Sequence, residues 1–362
     1  MAFTYFGASA KGLGKLLLVA LAVLNVTSPV VADFSAIPTW VTASNVSIYS
    51  TPVTIPINAT NATEAASTVT ASTRIIGGVT VDASDREWMV ALNMYNSSSS
   101  TATLCGGSYI GSSSGYHFVV TAAHCVVYHF DIAKAYFNTD NAQTLTSDSY
   151  SLSSFSTKFV NANYDASAYT NDIGILVFTD SSFTAPTPAI LGSSKIDLVT
   201  GETVTVTGYG LTSYRTQSDD YELRAVNLSL ISDSSCSSTF SRVNVETDMD
   251  VEICAEASDK GSCSGDSGGP LIAYRGDEEV VIGLVSWGVE CADTASYPDV
   301  YTRVTYFEDW IDTQVASLTG NSSFLRFYNQ SSSYAPSPAS SLTKSIFVPA
   351  LATLLVSIIA LV

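Results

Sequence analysis

The chain reads as an all-β protein, a barrel or sandwich of short strands with one helix near its C-terminal end. Three observations carry that reading. From Ile75 to about residue 318, short apolar runs recur at regular spacing, as at 88–94, 117–122, 173–178, 203–207 and 280–286. Ser, Asn, Asp and Gly turns separate them. A single stretch, 306–318, has helical period instead, with Phe307, Trp310, Ile311 and Val315 near one face. Pro186 and Pro188 fall near the middle of this region and mark a boundary between two β units.

The flanks follow a different logic. Lys11 and Lys15 precede the apolar run 16–24 and the small-residue site Val30-Val31-Ala32, the layout of a secretory signal peptide over 1–32. That run is too short to span a bilayer comfortably. Residues 33–74 are rich in Thr, Ser, Ala and Pro, lack cysteine, and carry glycosylation acceptors at Asn45, Asn58 and Asn61. They read as a mostly disordered pro-segment ending in Arg74, directly before Ile75-Ile76-Gly77-Gly78. A compact domain is expected over 75–319 and a Ser-rich stalk over 320–345, with acceptors at Asn321 and Asn329. The apolar tail 346–362 suits a removable GPI-anchor signal, with Ser331-Ser332-Ser333 as small residues and 334–345 as spacer. A short tail anchor is the other reading of the same segment.

The chain of 362 residues has 15 basic against 33 acidic side chains and a net charge of −18. Clustered Lys and Arg are what phosphate binding needs, so a nucleic-acid partner is excluded. The charge fits a soluble extracellular surface. Six cysteines beside a secretory signal suggest disulfides, although six allow about 15 pairings. No close Cys/His cluster has zinc-ligand spacing. The acids Asp131, Asp140 and Asp148 match no calcium-ligand pattern, so no metal or cofactor is expected. In the domain itself, Asn96 and Asn227 are glycosylation acceptors expected on surface loops.

The chemistry lies in two motifs, Thr121-Ala122-Ala123-His124-Cys125 and Gly265-Asp266-Ser267-Gly268-Gly269-Pro270. A serine held in a tight glycine turn needs a base, and the three histidines are His117, His124 and His129, all before Ser267. Gly265-x-Ser267-x-Gly269 also fits the nucleophile elbow of α/β-hydrolases, but that fold needs its histidine after the serine. His117 and His129 read as strand or surface residues.

These motifs resemble the trypsin/chymotrypsin family of serine proteases, over about two-thirds of the chain from Ile75 to the helix near Trp310. The resemblance implies two six-stranded antiparallel β-barrels with a C-terminal helix and a cleft between the barrels. It implies that Ser267 attacks the scissile carbonyl and that His124 takes its proton and delivers it to the leaving amine. Asp172, in Asn171-Asp172-Ile173-Gly174-Ile175-Leu176, matches the family's orienting carboxylate. The amides of Gly265 and Ser267 would form the oxyanion hole. Cleavage between Arg74 and Ile75 would free an ammonium that pairs with Asp266, making the chain a zymogen that needs an activating protease. The pairs Cys105–Cys125, Cys236–Cys254 and Cys263–Cys291 follow from the same resemblance.

At the specificity pocket the chain departs from the trypsin pattern. Gly261, next to Ser262, stands six residues before Ser267, where a trypsin-like enzyme has Asp. Ser286, Trp287 and Gly288 line the same pocket, and Asp299 replaces a usual Gly on the opposite wall. Some crustacean collagenolytic serine proteases are similar in this swap. The expectation is a secreted or cell-surface endopeptidase acting on protein or peptide substrates, cutting after Arg and Lys and also after Leu, Phe or Tyr. Asp299 pointing away would instead leave a chymotrypsin-like pocket. A catalytically silent relative serving as a binding or inhibitory glycoprotein is the alternative, disfavoured by the intact set of His124, Asp172, Ser267 and Gly265. A purely adhesive cell-wall protein would account for the Ser/Thr-rich ends alone.

Overall fold

The computed structural model of the chain describes residues 48–49, 53–55, 75–98, 101–144, 149–211, 221–289, 291 and 297–328. The expected signal peptide 1–32, Arg74, most of the pro-segment, the tail 346–362 and the acceptors Asn45, Asn58, Asn61 and Asn329 lie outside these residues.

Eighteen strands are present among the described residues. The first ten are β1 Ile48–Tyr49, β2 Val53–Ile55, β3 Val79–Thr80, β4 Met89–Asn96, β5 Thr101–Ser113, β6 Tyr116–Thr121, β7 Ile132–Phe137, β8 Tyr150–Leu152, β9 Phe155–Val160 and β10 Gly174–Thr179. The others are β11 Ile190–Gly192, β12 Thr203–Gly208, β13 Arg224–Leu230, β14 Glu252–Glu256, β15 Pro270–Arg275, β16 Glu278–Val289, β17 Asp299–Arg303 and β18 Arg326–Tyr328.

They form two sheets. The first has the order β8-β7-β4-β5-β6-β10-β9, with β2 paired to β5. In the second, β15-β12-β13-β14-β17-β16 closes on itself through a β15–β16 pairing, giving a six-stranded antiparallel barrel. The first is a half-barrel, its hydrogen-bonded path left open between β8 and β9. This is the chymotrypsin-like fold. The chain crosses from one sheet to the other between β10 and β11, across Pro186 and Pro188.

Period-two alternation explains the cores. In β12, Val204 and Val206 point inward against Val226, Leu228, Leu271 and Ile282. In the first sheet Val90, Leu92, Phe118, Val120, Ile175 and Val177 pack together. Helix Glu308–Thr319 seals one end, with Phe307, Ile311 and Val315 buried and Gly320 ending it in the left-handed region at φ 78°.

Three expectations change. Residues 321–328, read as the start of a stalk, belong to the fold: β18 pairs parallel with β11, and the Phe324 ring packs on Phe118. The aromatic triplet around Phe324 is short and non-periodic, so composition hid it. The segment 33–74, expected to be mostly disordered, contributes two short strands, β1 and β2, each paired to a strand of the domain. Asn227 sits inside β13 and accepts from Thr205 Oγ1, and Asn96 ends β4; neither stands in a free loop. All three expected disulfides are formed.

Candidate active site

His124 follows β6 in the one-turn helix Ala123–Val126, and Cys125 ties that turn to β5 through Cys105. Asp172 lies just before β10, after Asn171 at φ 54°. That left-handed residue turns the chain so that a polar side chain enters the interior at the head of an apolar strand. Asp172 grips His124 with both oxygens. Oδ2 lies 2.7 Å from His124 Nδ1, and Oδ1 accepts the His124 backbone N–H at 2.8 Å. Ser286 Oγ donates to Oδ2 at 2.6 Å, and Thr302 Oγ1 donates to the Asp172 carbonyl at 2.7 Å. A buried carboxylate is costly unless hydrogen-bonded, and these donors satisfy it. The Tyr169 ring meets the imidazole edge-on, with centroids 5.8 Å apart.

Ser267 is carried by the loop between Cys263 and β15. Its carbonyl accepts from Gly106 N at 2.8 Å, next to the Cys105–Cys125 bridge. Gly268 has φ 74°, and a Cβ there would come within 2.0 Å of Thr121 Oγ1. Only glycine lets the serine loop lie this close to the strand that leads to His124. The amides of Asp266, Gly268 and Gly269 are used within the fold, on the carbonyls of Cys263, Val285 and Asp266. The amides of Gly265 and Ser267 meet no acceptor among the described residues. His124 Nε2 is buried and likewise has no partner among them, so the Ser267–His124 hydrogen bond is not formed here. Such bonds often tighten only when substrate is seated.

Asp266 is fully buried and accepts from Gly210 N at 2.8 Å and Cys263 N at 2.9 Å. Cβ atoms on Gly208 or Gly210 would meet its carboxylate at 2.1 and 2.6 Å, so glycines make room for it. Burial pushes its pKa up to about 7, with the neighbouring Asp299 charge adding to the effect. Ile75 is also fully buried, at φ 33°, a strained conformation for a β-branched residue. Ile76 bridges to Gly261, which brings the start of the domain against the Gly261–Ser262 segment.

Asp299 reaches across from β17 to the Gly261–Ser262 segment. Its Oδ2 accepts from Ser262 N at 2.7 Å and Ser262 Oγ at 2.9 Å, with Tyr301 OH at 3.4 Å. A Cβ on Gly261 would lie 2.6 Å from that oxygen. The carboxylate therefore fills the space that a side chain at 261 would need. Trp287 is held by its Nε1–H, which donates to Glu252 Oε1 at 2.9 Å. Burial raises the Glu252 pKa to about 7.

Ser286, Trp287, Gly288 and Asp299 thus fall on adjoining strands β16 and β17. Glu252, Thr302 and Tyr169 escaped the sequence reading, because one acid, threonine or tyrosine among many carries no local signal. His117 stands apart from the site, bonded to Tyr109 OH at 3.1 Å and the Asp180 carbonyl at 2.7 Å. The His129 carbonyl accepts from Asn96 Nδ2 at 3.0 Å. Asp131 caps Ser97 and Asp140 holds Ala83 N; among the described residues no group of acids, histidines or cysteines is arranged to hold a metal.

The family model described as Trypsin matches residues 75–311. Trypsin delta of Drosophila melanogaster is 31% identical over 66% of this chain and 87% of its own length. Trypsin alpha of the same fly is 30% identical over 68% of this chain and 89% of its own. Brachyurin of Leptuca pugilator is 34% identical over 58% of this chain and 87% of its own length. By sequence and by fold, the chain belongs to the trypsin family and is a serine endopeptidase.

Proposed function

We propose that this endopeptidase is made as a secreted zymogen and uses Ser267 as nucleophile, His124 as general base and acid, and Asp172 as the carboxylate that orients His124. The observation that carries this reading is the double grip of Asp172 on His124, at 2.7 and 2.8 Å. Held through Nδ1, the imidazole keeps Nε2 for the serine proton, and Asp172 stabilises the imidazolium that forms. The donors of Gly265 and Ser267 receive the oxyanion.

Activation follows from charge. Asp266 is buried beside Asp299, no ammonium among the described residues balances it, and its raised pKa expresses the cost of that burial. A cut after Arg74 supplies an α-ammonium at Ile75, and it also relieves the strained Ile75 backbone. The matched family region begins at Ile75, which agrees with this boundary. The activating enzyme is a protease that cuts after Arg.

Primary specificity is set by Asp299. A carboxylate in the space beside Gly261 gives the pocket floor a negative charge, displaced from the usual wall. Arg and Lys are accepted with altered geometry, and charge discrimination is weaker, so Leu, Phe and Tyr are cut as well. The signal peptide 1–32 directs export, and the tail 346–362 either is exchanged for a GPI anchor or stays as a short anchor, which holds the protein at the cell surface. The substituted series His124→Ala, Asp172→Asn and Ser267→Ala tests the triad with peptide substrates. Each is expected to lose at least about 10² in kcat with folding intact. Full activity in any of them overturns the assignment.

A further inference from the structure

We propose that β1 and β2 together form a strap that acts as an inhibitor in cis, each paired on a sheet edge whose own strand is bonded to the residues around Ser267 and His124. The inference rests on the reading of Ser267 and His124 as the catalytic pair. β1 runs antiparallel to the end of β16, with Ile48 opposite Val289 and Tyr49 opposite Gly288. β2 runs antiparallel to β5, with Val53, Thr54 and Ile55 opposite Leu104, Thr103 and Ala102.

Both edges are bare without these two strands. β16 pairs with β15 only as far as Leu284, and Val285 then exchanges hydrogen bonds with Gly268 and Gly269. Beyond that point one side of β16 has no other strand beside it among the described residues. β5 meets β6 only from Ser108 onward, so residues 102–104 have β4 on one side alone. An unpaired edge is a template for an added strand, and main-chain pairing is how extended peptides are bound on such edges.

Both edges are linked by bonds to the residues of the candidate site. Ser286, two residues before Gly288, donates to Asp172. Leu104 precedes Cys105, which is bridged to Cys125 beside His124, and Gly106 N donates to the Ser267 carbonyl. Ser50, Thr51 and Pro52, which join β1 to β2, lie outside the described residues. In sequence those three residues include neither a basic nor a bulky apolar side chain of the kind the Asp299 pocket is proposed to select. The strap is a ligand that the enzyme holds and cuts poorly.

Covalent tethering sets its strength. Residues 56–74 join β2 to Ile75 in sequence, and a covalent link of this kind gives an effective concentration of about a millimolar. No cysteine lies in 33–74, so a cut at Arg74 leaves the strap without a covalent tie to the domain. One cleavage then frees the Ile75 ammonium and also turns an intramolecular inhibitor into a dilute peptide.

The test uses the full chain cut at Arg74, separated from the released fragment, with Ser267 labelling by a serine-directed reagent and hydrolysis of a small peptide substrate as readouts. A synthetic peptide of residues 46–57 at about 1 mM is expected to raise KM roughly fivefold, leave kcat unchanged and slow the labelling. The Ile48→Pro/Tyr49→Pro peptide, which cannot pair on the Gly288 edge, is expected to be at least about tenfold weaker. Stoichiometric labelling with no effect of either peptide overturns the strap and leaves the triad standing. Equal inhibition by both peptides, or rapid hydrolysis of the 46–57 peptide, also overturns it. Absence of labelling without any peptide overturns the catalytic reading and the strap with it.

Discussion

Asp299→Asn separates charge from shape at the floor of the proposed specificity pocket. Asp299 is buried, and its Oδ2 is fixed by Ser262 N at 2.7 Å and Ser262 Oγ at 2.9 Å. The asparagine amide oxygen can still accept from Ser262, so the floor keeps its shape while losing its charge. At a separation of ~5 Å and an effective dielectric of ~20, a carboxylate and a guanidinium attract by roughly 3 kcal/mol. That corresponds to about 10² in kcat/KM for Arg substrates. Substrates with Leu or Phe at the same position make no such ion pair, and they are expected to change by less than about threefold. The assay is kcat/KM on matched peptides differing only at that residue, with the melting temperature as a folding control. Undiminished cleavage after Arg would refute the assignment of Asp299. An equal fall for Arg and Leu substrates would refute it too, because it would mark a structural role.

Further outcomes follow from the same geometry. Ser286→Ala removes a donor 2.6 Å from Asp172 Oδ2; a hydrogen bond to a charged group contributes about 1.5–3 kcal/mol, so kcat is expected to fall about tenfold or more with KM little changed. Gly268→Ala places a Cβ 2.0 Å from Thr121 Oγ1 at φ 74°, and steady-state kinetics are expected to register a loss of at least about tenfold in kcat, with strain of roughly 1–3 kcal/mol lowering the melting temperature. Removing the Cys236–Cys254 bridge, which spans 18 residues, is expected to cost about 3 kcal/mol of stability in denaturant titrations while the triad keeps its geometry. For pH, the folded uncut chain holds the Asp266 proton up to about 7 against an ordinary 3.8. A raised acid stabilises fully below its unfolded value and loses that contribution as pH rises through its folded value. The uncut form is therefore expected to lose melting temperature between about pH 4 and 7. The cut form is expected to lose less, because the ammonium pairs with the charged carboxylate. Glu252, also raised to about 7, contributes equally to both forms and cancels in the comparison.

The strongly patterned parts of this architecture were legible in sequence. β12 and β10 were read within a residue or two, since alternation and apolar runs report burial directly. Helix Asp233–Ser241 was not seen. Its Ser-rich sequence buries only Cys236 and Phe240, although Ser232 as N-cap and that four-residue spacing are a faint signal. The site divides in the same way. His124 and Ser267 lie in local motifs, and Asp172 is marked by a polar turn entering an apolar strand. Thr302 and Glu252 act on Asp172 and Trp287 only because β14, β16 and β17 lie side by side, which no local spacing encodes. β1 and β2 are two and three residues long and take their conformation from the edges they join, so composition alone read them as disordered.

The central claim is that Ser267 is a nucleophile switched on by the cut at Arg74. Its most direct test is titration of the purified protein with a serine-directed covalent reagent before and after that cut, with the labelled residue located by mass spectrometry. The account predicts stoichiometric labelling of Ser267 only in the cut form. Equal labelling of the uncut form would contradict the switch, and no labelling of either folded form would contradict the nucleophile itself.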